Sequence, residues 1–170
     1  MGSGEDDERF RLFVRAQWGP LTRTAYLLTG DRGTAEDLVQ SALEKTHRRW
    51  ARIESPEVYV RRVMVNTATS WWRRRRPVEV PLLATDTAPT PDDYLRVEQR
   101  QQLLVALRQL PPRTQAVLVL RYFEDLSEAD TARVLGCSVG SVKSQASRGL
   151  ARLRVDFAEQ PPVRLQGEPT

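Results

Sequence analysis

Arg62, Asn66, Thr69, Arg73 and Arg76 recur at intervals of three and four residues, which on a helix advancing about 100° per residue puts them on one side. Guanidinium forks bind phosphates and guanine edges, and a side-chain amide offers a donor and an acceptor to a base edge. A second series, Ser141, Ser144, Gln145, Arg148 and Arg152, is similarly spaced and grades from short polar groups to arginine. Lys143 stands beside it, nearer the opposite side of its helix, from where it would reach a phosphate rather than a base edge. Both sets suit recognition of a polyanion that also presents hydrogen-bonding edges.

Bond-making chemistry has little to work with. One cysteine, Cys137, excludes an internal disulfide and a Cys-rich metal site, and with one histidine, His47, metal-ligand clusters and His-based triads have little to work with. No glycine loop of the phosphate-cradling kind and no nucleophile beside a base occurs. The expectation is a protein that is not an enzyme and that uses no metal and no cofactor.

Charge distribution says more than the net +4. Residues 58–78 hold six basic and no acidic residues, and 131–155 hold five basic and again none acidic. Between these blocks, "PVEVPLLATDTAPTPDD" carries only acidic charges, Glu79, Asp86, Asp92 and Asp93. Two basic blocks separated by an acidic stretch point to two contacts with nucleic acid. No run approaches the roughly 20 apolar residues that span a bilayer. The opening "MGSGEDDERF" lacks the order of a secretory signal. A soluble, cytoplasmic protein with no membrane partner is expected.

The elements that must position these residues are helical. Apolar positions repeat at helical spacing on both sides of the proline-rich stretch, and strand alternation is almost absent. The expected fold is therefore all-α: two small helical domains, 8–77 and 98–158, joined by a flexible, acidic, Pro-containing linker over 78–97. In the first domain, helices are expected at about 8–18 and on to 28, broken at Gly19-Pro20 and stopped at Gly30. The next helix takes Thr34 as its N-cap, and Ala35, Val39, Ala42, Leu43, Thr46 and Trp50 form its buried side. A helix from Pro56 to about Arg75 carries "SWWRRRRP": Trp71 falls within its apolar stripe, Trp72 at the border, and the arginines fan around its end.

In the second domain, Leu103, Leu104, Leu107 and Leu110 line one helix, and Pro111-Pro112 end it. A further helix runs over about 113–123. Ser127 then caps a short helix to Leu135, Gly136 supplies a left-handed turn, and Ser138 caps a helix to about Arg154. Ala132, Gly136 and Val142 are the small, turn and anchor residues that a helix-turn-helix needs. The inward side of its second helix is Val139, Val142, Ala146, Gly149, Leu150 and Leu153.

"LPPRTQAVLVLRYFEDLSEADTARVLGCSVGSVKSQASRGLARLR" resembles region 4 of the extracytoplasmic-function sigma factors, group IV of the sigma-70 family. "AEDLVQSALEKTHRRW" followed by "SPEVYVRRVMVNTATSWWRRRR" resembles their region 2. The two stand in the family's order, and the wording is nearest the SigE-like subgroup. The resemblance implies a chain that binds core RNA polymerase and promoter DNA and assists melting. It matches Asp37, Gln40 and Glu44 to the contacts with the beta-prime clamp helices. Region 2's minus-10 readers map to about 51–55 and to Arg62 and Asn66, with Thr69, Arg73 and Arg76 on the same face. Minus-35 contacts map to Ser141, Lys143, Ser144, Gln145, Arg148 and Arg152, and region 4 is implied to pack on the beta flap. An anti-sigma factor is a common partner in this family.

Three other readings remain open at this point. A stand-alone helix-turn-helix regulator would bind duplex DNA without polymerase. A single-strand-binding protein would use "WWRRRR" as a stacking platform. A helical scaffold would need both basic blocks to be coincidental.

Overall fold

The computed structural model describes residues 3–74 and 91–158 of the 170. Among these the protein is helical, with no strand. Helices α1 (Ser3–Thr29), α2 (Arg32–Arg48) and α3 (Pro56–Arg74) form a first unit. Helices α4 (Pro91–Gln109), α5 (Pro112–Leu118), α6 (Glu128–Leu135) and α7 (Val139–Ala158) form a second. The expected helix over 113–123 is divided, because α5 widens after Leu118 into a π turn over Val119–Phe123.

The first unit has its own core. Leu21, Ala25, Leu38, Val39, Ala42, Val60 and Met64 are fully buried there, with Trp71 partly buried against them. Phe10, Phe13 and Trp50 extend it with ring centroids 5.2–6.5 Å apart. Trp71 and Trp72 therefore divide as their helical positions predict: Trp72 is 51% exposed.

Several expectations are corrected. The break at Gly19-Pro20 does not occur, and α1 runs through it. Proline removes one backbone hydrogen bond and costs about 3 kcal/mol inside a helix. Here the following turn buries Leu21, Thr24 and Ala25, and that packing outweighs the loss. The N-cap of α2 is Asp31 rather than Thr34: its carboxylate accepts from the Thr34 backbone N–H at 2.7 Å. Asp31 has the extended backbone of a cap and the same acceptor chemistry as threonine, so composition alone does not separate the two. Helix α4 starts at Pro91, inside the expected linker, because proline is well tolerated in a first helical turn. The expected linker residues 78–90 lie outside the described residues.

The helix-turn-helix forms with the expected parts. Ser127 Oγ accepts from the Asp130 backbone N–H at 3.0 Å, Gly136 has φ +62°, and Ser138 Oγ accepts from the Ser141 N–H at 3.1 Å. Ala132, Val142, Ala146 and Gly149 are buried. Val139, expected on the inward side, is 39% exposed, as the first residue of α7.

The two units are not merely tethered. Val65 of α3 shares an apolar cluster with Ala116, Leu120 and Val134, and Leu27 of α1 packs against the second unit's core. The side chain of Arg108 lies over Gly30, where an added Cβ would come within 2.9 Å of its Cδ.

Close packing of α7 on α5 depends on Gly149, where a Cβ would fall 2.8 Å from Leu118 Cδ1 and 2.9 Å from Thr114 Cγ2. Gly149→Val is expected to destabilise the protein by about 1–3 kcal/mol, the usual cost of overpacking, as a lowered midpoint in thermal circular dichroism. Gly140→Ala is the matched control: its Cβ would meet only Ser138 Oγ at 3.9 Å, and it should leave the midpoint unchanged or raised.

Candidate nucleic-acid interface

Pro56 opens α3 with the backbone pre-set for a helix, and the Tyr59 N–H bonds the Ser55 carbonyl at 3.0 Å. The buried stripe of Val60 and Met64 fixes the rotation of this helix. Arg62, Asn66, Thr69 and Arg73 consequently share one face, with Arg62, Asn66 and Arg73 exposed and Thr69 half-buried. Arg76 lies outside the described residues.

Beside the N-terminal part of α3, the chain between α2 and α3 makes a short 3₁₀ turn over Trp50–Arg52. An open cleft of about 510 Å³ lies there, lined by Arg49, Arg52, Ile53, Glu54, Ser55, Val58, Tyr59 and Arg62. The expected loop over 51–55 thus contributes residues 52–55 to a concave surface, while Ala51 stays outside it. Arg49, Val58 and Tyr59 were not singled out from sequence. The signal for Tyr59 was its position three residues before Arg62, which puts an aromatic ring and a guanidinium on neighbouring turns.

The Arg62 guanidinium is engaged. Its Nε donates to the Val134 carbonyl at 3.2 Å and its Nη2 to the Arg133 carbonyl, both at the C-terminal end of α6. Thr69 and Trp72 line a small gap that Pro112, Gln115 and Ala116 close from the other unit. The polar face of α3 therefore abuts the second unit along part of its length.

On α2, Asp37, Gln40 and Glu44 are all exposed. Gln40 and Glu44 border a shallow groove of about 300 Å³ with Phe10, Val14, Leu43 and His47. Glu44 pairs with Arg48 at 3.6 Å, an exposed contact that an incoming partner can exchange at small cost. Acidic and amide groups above an apolar floor form a surface able to receive a basic, amphipathic partner.

On α7, Lys143, Ser144, Arg148 and Arg152 are exposed, and Ser141 and Gln145 are half-buried. Gln145 Nε2 donates to Ser141 Oγ at 2.9 Å, so the amide is held by the preceding turn with its carbonyl and second N–H left over. Lys143 pairs across the turn with Glu128 at 3.6 Å, and Arg152 with Asp156 at 3.4 Å. The Lys143 pair is exposed on both sides and weak enough for a phosphate to replace the carboxylate, whereas the Asp156 carboxylate is largely buried. Among the described residues no group of His, Cys, Asp and Glu could hold a metal, and no helix is long and apolar enough to cross a membrane.

Comparison with known proteins agrees with this division into two units. Residues 13–78 match the Sigma-70 region 2 family, and residues 100–153 match the Sigma-70, region 4 family. The RNA polymerase sigma-E factor of Streptomyces coelicolor is 42% identical over 151 residues, covering 87% of this chain and 85% of that protein. That of Streptomyces avermitilis is 41% identical over 160 residues, covering 92% and 89%. Among solved structures, the sigma factor RpoE of Bartonella quintana, in complex with the anti-sigma factor NepR, superposes with a TM-score of 0.73. The match has 20% identity and covers 91% of this chain and 99% of that one. CnrH in complex with the cytosolic domain of CnrY gives 0.68 at 19% identity, covering 91% of each chain. With both family regions present in order and relatives at 41–42% identity along most of its length, the chain belongs to the extracytoplasmic-function RNA polymerase sigma factors of the sigma-70 family.

Proposed function

We propose that this sigma factor divides promoter recognition between two surfaces: the cleft and polar face of α3 take the minus-10 element, and the outward side of α7 takes the minus-35 element. As a sigma factor it binds core RNA polymerase and directs promoter-specific transcription initiation. Its family is not one of enzymes, and here it acts through binding alone, in the cytoplasm where the polymerase is. Asp37, Gln40 and Glu44 take the beta-prime clamp helices, and the second unit takes the beta flap. An anti-sigma factor is a further partner, a reading supported by the two similar solved structures, in complex with NepR and with CnrY.

One observation carries the minus-10 part: a cleft lined by Tyr59, the three arginines Arg49, Arg52 and Arg62, and residues 53–55 opens beside the Asn66 face. A base that leaves the stack needs an aromatic or guanidinium plane and nearby hydrogen-bonding groups. Its flanking phosphates need positive charge. On the minus-35 side, α7 presents short polar groups at its start and arginines further along, as a helix entering a major groove does.

The direct test mixes the purified chain with core polymerase and a promoter library. Specific initiation supports the reading. Tight, sequence-specific binding of duplex promoter DNA without polymerase would instead favour a stand-alone regulator. Within that assay, Asn66→Ala is expected to impair promoter opening more than closed-complex formation, as read by permanganate footprinting. Arg148→Ala should weaken closed-complex binding about 5- to 150-fold, the value of one good base or phosphate contact. Equal effects of both variants on both steps would contradict the division.

Gln145 carries its own prediction. A side-chain amide pairs with adenine through one N–H and its carbonyl, whereas arginine pairs with guanine. The Ser141 bond leaves Gln145 that pair of groups. Gln145→Arg should therefore move the preferred minus-35 base at one position from adenine to guanine in a randomised-promoter selection, and an unchanged preference would remove Gln145 from base readout.

A further inference from the structure

Three serines, Ser138, Ser141 and Ser144, lie at the start of the helix that carries the proposed minus-35 surface, and each hydroxyl has a different task. Ser138 Oγ accepts from the Ser141 backbone N–H at 3.1 Å, which caps α7. Ser144 Oγ donates back to the Ser141 carbonyl at 3.2 Å, so its proton is spent on its own helix. Ser141 Oγ instead meets a side chain: it accepts from Gln145 Nε2 at 2.9 Å, one turn further on.

Position explains the difference. A serine inside a helix commonly donates to the carbonyl four residues earlier. For Ser141 that residue is Cys137, which stands before α7 begins. Among the described residues the Ser141 hydroxyl has Gln145 as its one partner. Val142, fully buried between the two, fixes the rotation of this part of the helix, and Ser141 and Gln145 are both half-buried. A glutamine on a solvated face samples several rotamers, and its terminal amide torsion has no sharp preference. Tied to Ser141, the Gln145 amide is drawn towards the N-terminal end of α7, the end that enters a major groove in a helix-turn-helix. Its carbonyl and second N–H stay open.

From this bond we infer that Ser141 is a positioning residue for base readout: it serves the minus-35 element by holding the Gln145 amide in place, not by a base contact of its own. The inference rests on the minus-35 role proposed for α7 and names the pair of residues that sets specificity at one position of it. A side chain that is already held loses less freedom on binding than a free one. The gain falls on the base that engages both remaining groups of the amide. Adenine does so through N7 and N6, whereas guanine offers two acceptors and leaves the amide carbonyl unmet. Loss of the Ser141 hydroxyl therefore lowers discrimination between bases and leaves the phosphate contacts of Lys143 and the arginines as they were.

Holoenzyme assembled from the full chain and core polymerase tests this, on promoters carrying each of the four bases at the minus-35 position whose preference Gln145→Ala alters. Ser141→Ala should lower the preference for adenine over guanine roughly 2- to 10-fold, the worth of one neutral hydrogen bond. Ser141→Thr keeps the hydroxyl and should retain the preference. In a Gln145→Ala background Ser141→Ala should change nothing further, because a residue that acts through another has no effect once the other is gone. In the free chain, nuclear magnetic resonance should show the order of the Gln145 side-chain amide falling in Ser141→Ala while the Val142 backbone amide is unmoved. An adenine preference unchanged in Ser141→Ala, or an equal loss with and without Gln145, would overturn the positioning role and leave Gln145 as a reader. A Gln145→Ala variant that alters no minus-35 position would instead remove Gln145 from readout, and the positioning role with it.

Discussion

A carboxylate that is nearly out of water must be met by a cation and by hydrogen bonds, and Glu124 finds all of them on the other half of the chain. Thr24 and Arg61 belong to different helices of the first unit, so one side chain of the second holds α1 and α3 together from outside. The geometry that permits it is local: a π turn and one left-handed residue. Around that polar centre the apolar contacts are modest, Val65 against Ala116, Leu120 and Val134. Small helical units of this size bury limited cores, and a shared interface lets each cover surface that the other would expose.

The proposed functional surfaces are arranged in relation to that interface. Gln40 and Glu44 of α2 border a groove beside α1, whereas the polar face of α3 lies along the junction, with Arg62 drawn into it. The proposed minus-10 contacts and the junction of the two units thus draw on the same helix.

Much of the fold was legible because its signals are local. Ser127, Gly136 and Ser138 announce caps and a turn by residue type alone, and Val142 and Ala146 follow the helical period. Trp71 and Trp72, adjacent and chemically identical, were separated by their position on the wheel. The continuity of α1 through Pro20 was not legible, since it depends on what Leu21 and Ala25 pack against. The polar contact between the units was hidden for a related reason. Arg61 and Glu124 are 63 residues apart, each looks like an ordinary surface charge, and the turn that aims Glu124 has no sequence signature of its own. Likewise Arg62 was recognisable as a member of a polar face, but its second use at the end of α6 required the three-dimensional contact.

The claim that the two units are joined in the free protein is open to direct measurement. Ala16 and Ala151 are exposed, one in each unit. With Cys137→Ser removing the native thiol, cysteines at both positions can carry spin labels for a pulsed electron resonance distance. The account predicts one narrow distribution in the free chain. A broad distribution would contradict it.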